Sequence, residues 1–230
     1  TVIGELNNFA YIASHDLKAP LRAIDNLSQW IEEDAGQALT EDSKTYLGLL
    51  RGRVSRLDTL LNDLLEYSRA GRLHGEVRPV EVGKSLDDLL ALISVPDGLV
   101  VKIKSAMPVV DADPLALTQI FSNLISNAIK HHDKDDGTIE ISVAERENFW
   151  EFLIEDDGPG IPPEFRERIF EIFQTLRPRD DVEGSGMGLA IVKKLIDTAG
   201  GRISVSNRPG GKPGAAFRFT WPKSNHGALV

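Results

Sequence analysis

What most constrains this chain is a change of hydrophobic period near residue 72. Before it, apolar and small residues recur at Leu6, Ala10, Ala13, Leu17, Pro20, Ile24, Leu27 and Ile31, in steps of four and three. That is a heptad seam. The pattern breaks at Asp34-Ala35-Gly36-Gln37. Thr40 then stands as an N-cap, with Glu41 and Asp42 in the first turn, where negative charge suits the helix dipole. A second seam runs through Leu47, Leu50, Val54, Leu57, Leu61, Leu64 and Ser68 and stops near Ala70-Gly71. Two long helices and a short loop predict an antiparallel α helical hairpin over residues 1–71. One hairpin cannot hide two apolar stripes; pairing two into a dimeric four-helix bundle can. A simple dimerising coiled coil satisfies the same pattern.

Residues 72–80 read as a linker, and residues 81–222 mix strand and helix periods. Val82–Ser94 reads as a helix and Val100–Ser105 as a strand. Asp113-Pro114 opens a helix, with Asp as N-cap and Pro in the first turn. Its inward face carries Leu117, Ile120, Phe121, Leu124, Ile125 and Ala128. Thr138–Ala144 and Phe149–Glu155 read as strands, and Pro162-Pro163 opens a short helix through Phe170. A helix over Gly188–Ala199 ends at Gly200-Gly201, and Arg202–Ser206 and Ala215–Trp221 close the pattern as strands. The expectation is an α+β two-layer sandwich: one mixed sheet with helices on one face. Residues 223–230 read as a tail.

Composition narrows the chemistry. The chain has 230 residues, 41% of them hydrophobic, enough for two modest domains with real cores. It carries 26 basic and 35 acidic residues, a net charge of −9, and no Lys/Arg tract, so a nucleic-acid partner is not expected. The absence of cysteine excludes disulfides, Cys-ligated zinc and thiol catalysis, and fits a reducing, cytoplasmic location. No run of about 18 apolar residues and no signal-peptide pattern is present, so no membrane contact is expected of this stretch. Thr1 falls inside a helical pattern without a start methionine, which predicts an excised fragment and leaves open either a membrane span or a sensor domain upstream.

His15 lies on the outward side of the first seam, in Ser14-His15-Asp16-Leu17-Lys18-Ala19-Pro20-Leu21-Arg22. A solvated surface histidine is the plain reading. Against it, Asp16 is adjacent and Pro20 is predicted to interrupt the helix, at a cost of about 3 kcal/mol. At pH 7 an unperturbed imidazole is mostly neutral, with a lone pair able to attack phosphorus. Asp16 could accept the proton of the other ring nitrogen, orienting the ring and stabilising the charge that develops.

Farther on, Asn123 and Asn127 share a helix face, with Lys130 one turn beyond. They read either as satisfied polar residues at a core rim or as a cation and phosphate site. Amide oxygen suits a hard cation such as Mg²⁺. Asp156 ends an apolar strand and Gly158 and Gly160 follow it. That is a tight turn, or a carboxylate for an adenine amine beside backbone free of side chains. Gln174–Glu183 is polar and reads as a lid, with Arg179 either a γ-phosphate ligand or an ordinary loop arginine. The glycine-rich Gly184-Ser185-Gly186-Met187-Gly188-Leu189 runs into a helix, the arrangement of a phosphate cradle.

Taken in order, these segments resemble the sensor histidine kinases, most of all those attached to phytochrome or PAS sensors. His15–Arg22 resembles the H box, Asn123–Lys130 the N box, Asp156–Ile161 the G1 box, Phe170–Phe173 the F box and Gly184–Leu189 the G2 box. The resemblance implies a homodimeric hairpin domain followed by a Bergerat-type ATP-binding domain. It implies transfer of the γ-phosphoryl of Mg-ATP to His15, with Asp16 assisting, then onward to an aspartate on the receiver domain of a response regulator. It implies Asp156 as the adenine-recognising residue, Asn127 as the Mg²⁺ ligand and Gly158, Gly160, Gly184, Gly186 and Gly188 as loop glycines. Asn123, Lys130, His131, Ile161, Arg179, Ser185, Met187 and Leu189 complete the expected ATP site.

Four departures from the family pattern stand out, the last of them a pair of positions. Ala19 stands where Thr or Asn often positions water, which puts phosphatase activity in doubt. His131 stands where an aromatic Tyr or Phe is frequent, and Thr175 where the phytochrome-like members often have Arg. Ser185 and Met187 replace a more frequent Thr and Leu/Ile. Two other readings stay open: a catalytically silent ATP-binding scaffold, and a Bergerat-type ATPase.

Overall fold

In the computed structural model, which describes residues 2–70, 75–174 and 185–223, with side chains from Asp16 onward, both seams fold as helices. α1 spans Val2–Ala35 and α2 spans Glu41–Arg69. Thr40 caps α2 as expected: its side chain accepts from the Ser43 N–H, and Glu41 and Asp42 occupy the first turn. α1 runs unbroken through Pro20, where an interruption was expected. A proline forfeits its own N–H bond, and turns on both sides hold this long helix to α2. Lys18 Nζ donates to Asn62 Oδ1, and an Arg51 guanidinium N–H donates to Glu32 Oε2.

The seam of α1 does not face α2. Leu17, Ile24, Leu27 and Ile31 are between 42% and 53% exposed, whereas Ser28 is buried and Leu21, Asp25 and Glu32 on its line are half-buried. On α2 the seam splits: Val54 and Ser68 are buried, Leu50 and Leu57 exposed. The hairpin closes on one line of residues and leaves a second apolar stripe uncovered.

The second half is built on a five-stranded sheet and three helices. β1 (Arg78–Glu81) and β3 (Val109–Ala112) pair as an antiparallel ribbon. The sheet has the order β2 (Leu99–Ile103), β4 (Gly137–Glu145), β5 (Phe149–Asp156), β7 (Ala215–Pro222), β6 (Ile203–Asn207). β2 runs parallel to β4 and the other pairs are antiparallel. α3 (Val82–Leu92), α4 (Pro114–Lys130) and α5 (Gly188–Thr198) complete the layers. The six inward residues expected of α4 are all buried, and Asp113 caps it by accepting from Leu115 N–H at 2.9 Å. Phe121 of α4 meets Phe152 and Phe219 of the sheet edge-on, each at 5.6 Å between ring centres, and those two stack at 4.9 Å. Such ring packing adds to the area that aromatic side chains bury.

Two details differ from the sequence reading. The ribbon strand β1 occupies the end of the segment read as a linker, so structure tied to the sandwich begins at Arg78. Four-residue strands, one containing Pro79 and the other following Pro108, are too short to display a period. The helix expected from Pro162 through Phe170 is two short 3₁₀ turns, Pro163–Phe165 and Arg168–Phe170.

The halves touch where α2 ends. Ala70, Met187 and Ile191 form a small buried cluster with Leu64, Tyr67 and Leu195 around it. Lys194 Nζ donates to the Tyr67 carbonyl at 2.7 Å and lies 4.2 Å from that ring's centre. Gln119 Nε2 donates to Glu66 Oε2 at 3.0 Å.

Candidate nucleotide-binding site

The site begins with the register of β5. Its buried face reads Phe152, Ile154, Asp156, so a carboxylate occupies a position that the strand's period assigns to the core. Asp156 is 8% exposed. Its Oδ1 accepts from Gly158 N–H at 3.0 Å and from Ala215 N–H, at the start of β7, at 3.2 Å. Burial raises its pKa above the ordinary carboxylate value despite those two bonds and the nearby His132. Both described bonds use Oδ1, which leaves Oδ2 for a ligand that donates.

Asp156 opens onto a cavity of about 500 Å³ between α4, the turn after β5 and the start of α5. From α4 and its C-cap come Asn123, Asn127, Lys130 and His131. From the turn come Gly160 and Ile161, and from the approach to α5 Ser185, Gly186, Gly188 and Leu189. The floor is apolar, with Ile169 and Phe217. This is the composition of a pocket for a flat ring with a polar end: apolar walls and a few placed polar groups.

Gly186 is required on two counts. Its φ is +72°, and a Cβ there would lie 2.7 Å from the Gln174 carbonyl oxygen. Ser185 Oγ accepts from Met187 N–H at 3.1 Å, tightening the turn before α5. The first N–H groups of α5 have no intrahelical partners and suit an anion. Asn123 Oδ1 packs at that turn, 3.1 Å from where a Cβ of Gly188 would be.

Other expected site residues sit elsewhere. Gly158 is buried beneath Asp156 rather than lining the cavity, and Met187 faces the end of α2. Asp16 is exposed on α1. His15 belongs to the α1 backbone, but its side chain lies outside the described residues, as do Thr175, Arg179 and Gly184. The sequence reading missed Ala215, whose N–H fixes Asp156, and the pair formed by His132 with Asp157. Ala215 lies 59 residues beyond its partner. Only the pairing of β5 with β7 brings them together.

The architecture defines a class: a helical hairpin followed by an α/β sandwich with a nucleotide-type cavity beside its glycine turn. Residues 5–72 match the family described as the His Kinase A (phospho-acceptor) domain. Residues 112–225 match that described as the histidine kinase-, DNA gyrase B- and HSP90-like ATPase. The phytochrome-like protein Cph1 of Synechocystis sp. is 39% identical over 224 residues, 96% of this chain and 30% of its own length. The methanogenesis regulatory histidine kinase FilI of Methanothrix harundinacea is 32% identical over 222 residues, 95% of this chain and 25% of its own. Full-length ShkA, solved in complex with AMPPNP, superposes with a TM-score of 0.70 at 28% identity, covering 97% of this chain and 47% of that one.

This chain belongs to the sensor histidine kinases and constitutes their catalytic core. It spans about 30% of the length of the phytochrome-like relatives it matches.

Proposed function

We propose that this core binds ATP in the cavity under Asp156, transfers the γ-phosphoryl group to His15, and passes it to an aspartate of a response-regulator receiver domain. The observation that carries the reading is Asp156. A carboxylate is held in a core register position by two N–H groups and turned toward a cavity ringed by Asn123, Asn127 and the glycine turn.

In this reading Asp156 Oδ2 accepts from the exocyclic amine of adenine, and Ile161 and Phe217 pack the base. Lys130 and the N-terminus of α5 attract the phosphates. The amide oxygens of Asn127 and Asn123 at the cavity rim fit Mg²⁺, with Asn127 as the ligand. When bound, the ion would neutralise charge on the phosphoryl group in transit. A ring nitrogen of His15 attacks the γ-phosphorus as the bond to ADP breaks, and Asp16 takes up the proton of the other ring nitrogen. His131 stacks on the nucleotide and Arg179 meets the γ-phosphate. Ala19 supplies no polar group to orient water, so the core does not speed loss of phosphate from its partner.

The reading includes a homodimer. The exposed stripe of Leu17, Ile24, Leu27 and Ile31, with Leu50 and Leu57, supports pairing of two hairpins into four helices. It divides the chain into a hairpin over 1–71, a linker, a catalytic domain ending at 222 and a tail. The fragment is assigned to the cytoplasm, downstream of a sensor; among the described residues no helix is long and apolar enough to cross a membrane.

The test is incubation with γ-labelled ATP and magnesium. Label on the wild type that disappears in His15→Ala is the expected result. Nucleotide binding without any label would instead favour the silent scaffold. Steady hydrolysis that survives His15→Ala would favour an ATPase.

A further inference from the structure

Behind the cavity wall, the chain after α4, the start of β4 and the turn after β5 converge on the His132 side chain, which is 1% exposed. Its Nε2 lies 3.0 Å from Asp157 Oδ1. Its Nδ1 lies 3.1 Å from the Lys134 carbonyl oxygen and 3.3 Å from the Lys134 N–H nitrogen. That double offer satisfies the ring in either state. A charged ring donates Nδ1–H to the carbonyl; a neutral ring accepts from the amide. In both, Nε2–H donates to Asp157.

Asp157 is tied down further. Its Oδ1 accepts from Thr138 N–H at 2.7 Å, and Lys134 Nζ donates to its main-chain oxygen at 3.0 Å. Space for the ring is set aside at Gly137, where a Cβ would lie 2.3 Å from ring atoms Cε1 and Nε2. No side chain other than hydrogen fits there while the imidazole is in place. Asp156, Asp157 and Gly158 form one turn, and Gly158 N–H is one of the donors that aim Asp156.

We propose that His132 is a positioning residue of the nucleotide site: by gripping Asp157 it sets the turn that carries Asp156 and keeps that carboxylate charged and aimed at the base. The proposal rests on Asp156 as the adenine-recognising residue. The groups that face the ring are Asp156 and Asp157 on the turn and Lys134 on its own loop. β4 presents main chain, Gly137 and Thr138. Burial opposes the ring's charge. The bonds to Asp157 and the Lys134 carbonyl and the two carboxylates outweigh it, so His132 titrates above the ordinary histidine value. For Asp156, burial is the leading effect and raises its pKa; the Ala215 and Gly158 N–H groups and, after them, the charged His132 offset part of that rise.

The experiment measures the affinity of the whole chain for the non-hydrolysable analogue AMPPNP by calorimetry from pH 5 to 8.5. At pH 7, His132→Phe is expected to bind about tenfold more weakly, the scale of one hydrogen bond to a charged group. Its acid-side loss of affinity should begin at higher pH than in the wild type, because Asp156 has lost a neighbouring cation. His132→Gln restores a donor but no charge, so it should regain affinity at pH 8 and keep the displaced acid limb. Gly137→Ala, whose Cβ would crowd both the ring and Asp157 Oδ1, should break the same grip and weaken binding at pH 7 as His132→Phe does. If His132→Phe does not fold, His132→Gln decides alone. An affinity and acid limb equal to wild type in His132→Gln, with binding weakened in Asp156→Asn, would overturn the proposal. Undiminished binding in Asp156→Asn would instead overturn the adenine assignment beneath it.

Discussion

Leu27 and Ile125 are both aliphatic residues on the apolar stripe of a long helix, yet Leu27 is 53% exposed and Ile125 fully buried. The contrast holds for their surroundings. α4 turns its whole inward face to the core, while the hairpin buries Val54 and Leu65 and leaves most of its described large apolar residues in contact with solvent. The sandwich is self-sufficient in core. Among the described residues the hairpin has half of one, and in the proposed dimer a second copy supplies the other half. The proposed phosphoryl transfer suits that division: a rigid nucleotide site on one side, and on the other an exposed helical surface that carries the accepting residue.

The sharpest way to break the comparison is to damage each core separately. Phe152→Ala removes the ring stacked on Phe219 and should destabilise the sandwich by about 3–5 kcal/mol. Calorimetry should then show nucleotide binding lost while the helical hairpin still pairs. Leu27→Ala should do the reverse. If the exposed stripe is the dimer face, it should weaken dimerisation by about 1.5–3 kcal/mol per protomer in sedimentation equilibrium, with AMPPNP affinity unchanged. A monomer–dimer equilibrium unmoved by that substitution would refute the covered stripe.

Asp156→Asn should weaken nucleotide binding by about 1.5–3 kcal/mol, the loss of a charge-assisted bond. The nucleotide-free protein should be no less thermostable, since an ionised carboxylate with a raised pKa opposes folding at neutral pH. Thr40→Ala should cost the hairpin about 1 kcal/mol through its lost cap and leave the sandwich melt in place.

The smallest effect concerns pH. His132 gains its partners on folding and titrates above its unfolded value. Its contribution is full below that unfolded value and is lost as pH rises through the folded pKa. Asp157 is the opposite case. Burial alone would raise its pKa, but the Thr138 N–H and His132 outweigh it and lower it, so its contribution is lost as pH falls through the folded pKa. The sandwich melt should therefore decline on both sides, and the hairpin melt, whose Lys44–Glu41 pair is exposed, should track neither.

Much of this was legible in the residues. Thr40, Asp113 and the apolar face of α4 announced their helices because caps and periods are local signals. Asp156 was legible as a carboxylate ending an apolar strand. What was not legible depended on distant chain. The α1 seam was readable as apolar but not as facing away from α2, because a heptad does not say which neighbour it meets. β1 and β3 were too short to show a period and exist by pairing with each other. His132 carries no local signal; its meaning comes from Asp157, 25 residues on.

By itself, then, the sequence determined the longer helices and strands, the family and the chemical types available at the site, because each is written in spacing and residue identity. The tertiary structure decided which groups work together. Sheet pairing brought Ala215 to Asp156, the packing of β4 made room for His132, and the closure of α2 on α1 left one stripe for another molecule. Each depends on packing between residues far apart in the chain, the exposed stripe being covered only in the proposed dimer, and local propensity carries no information about that.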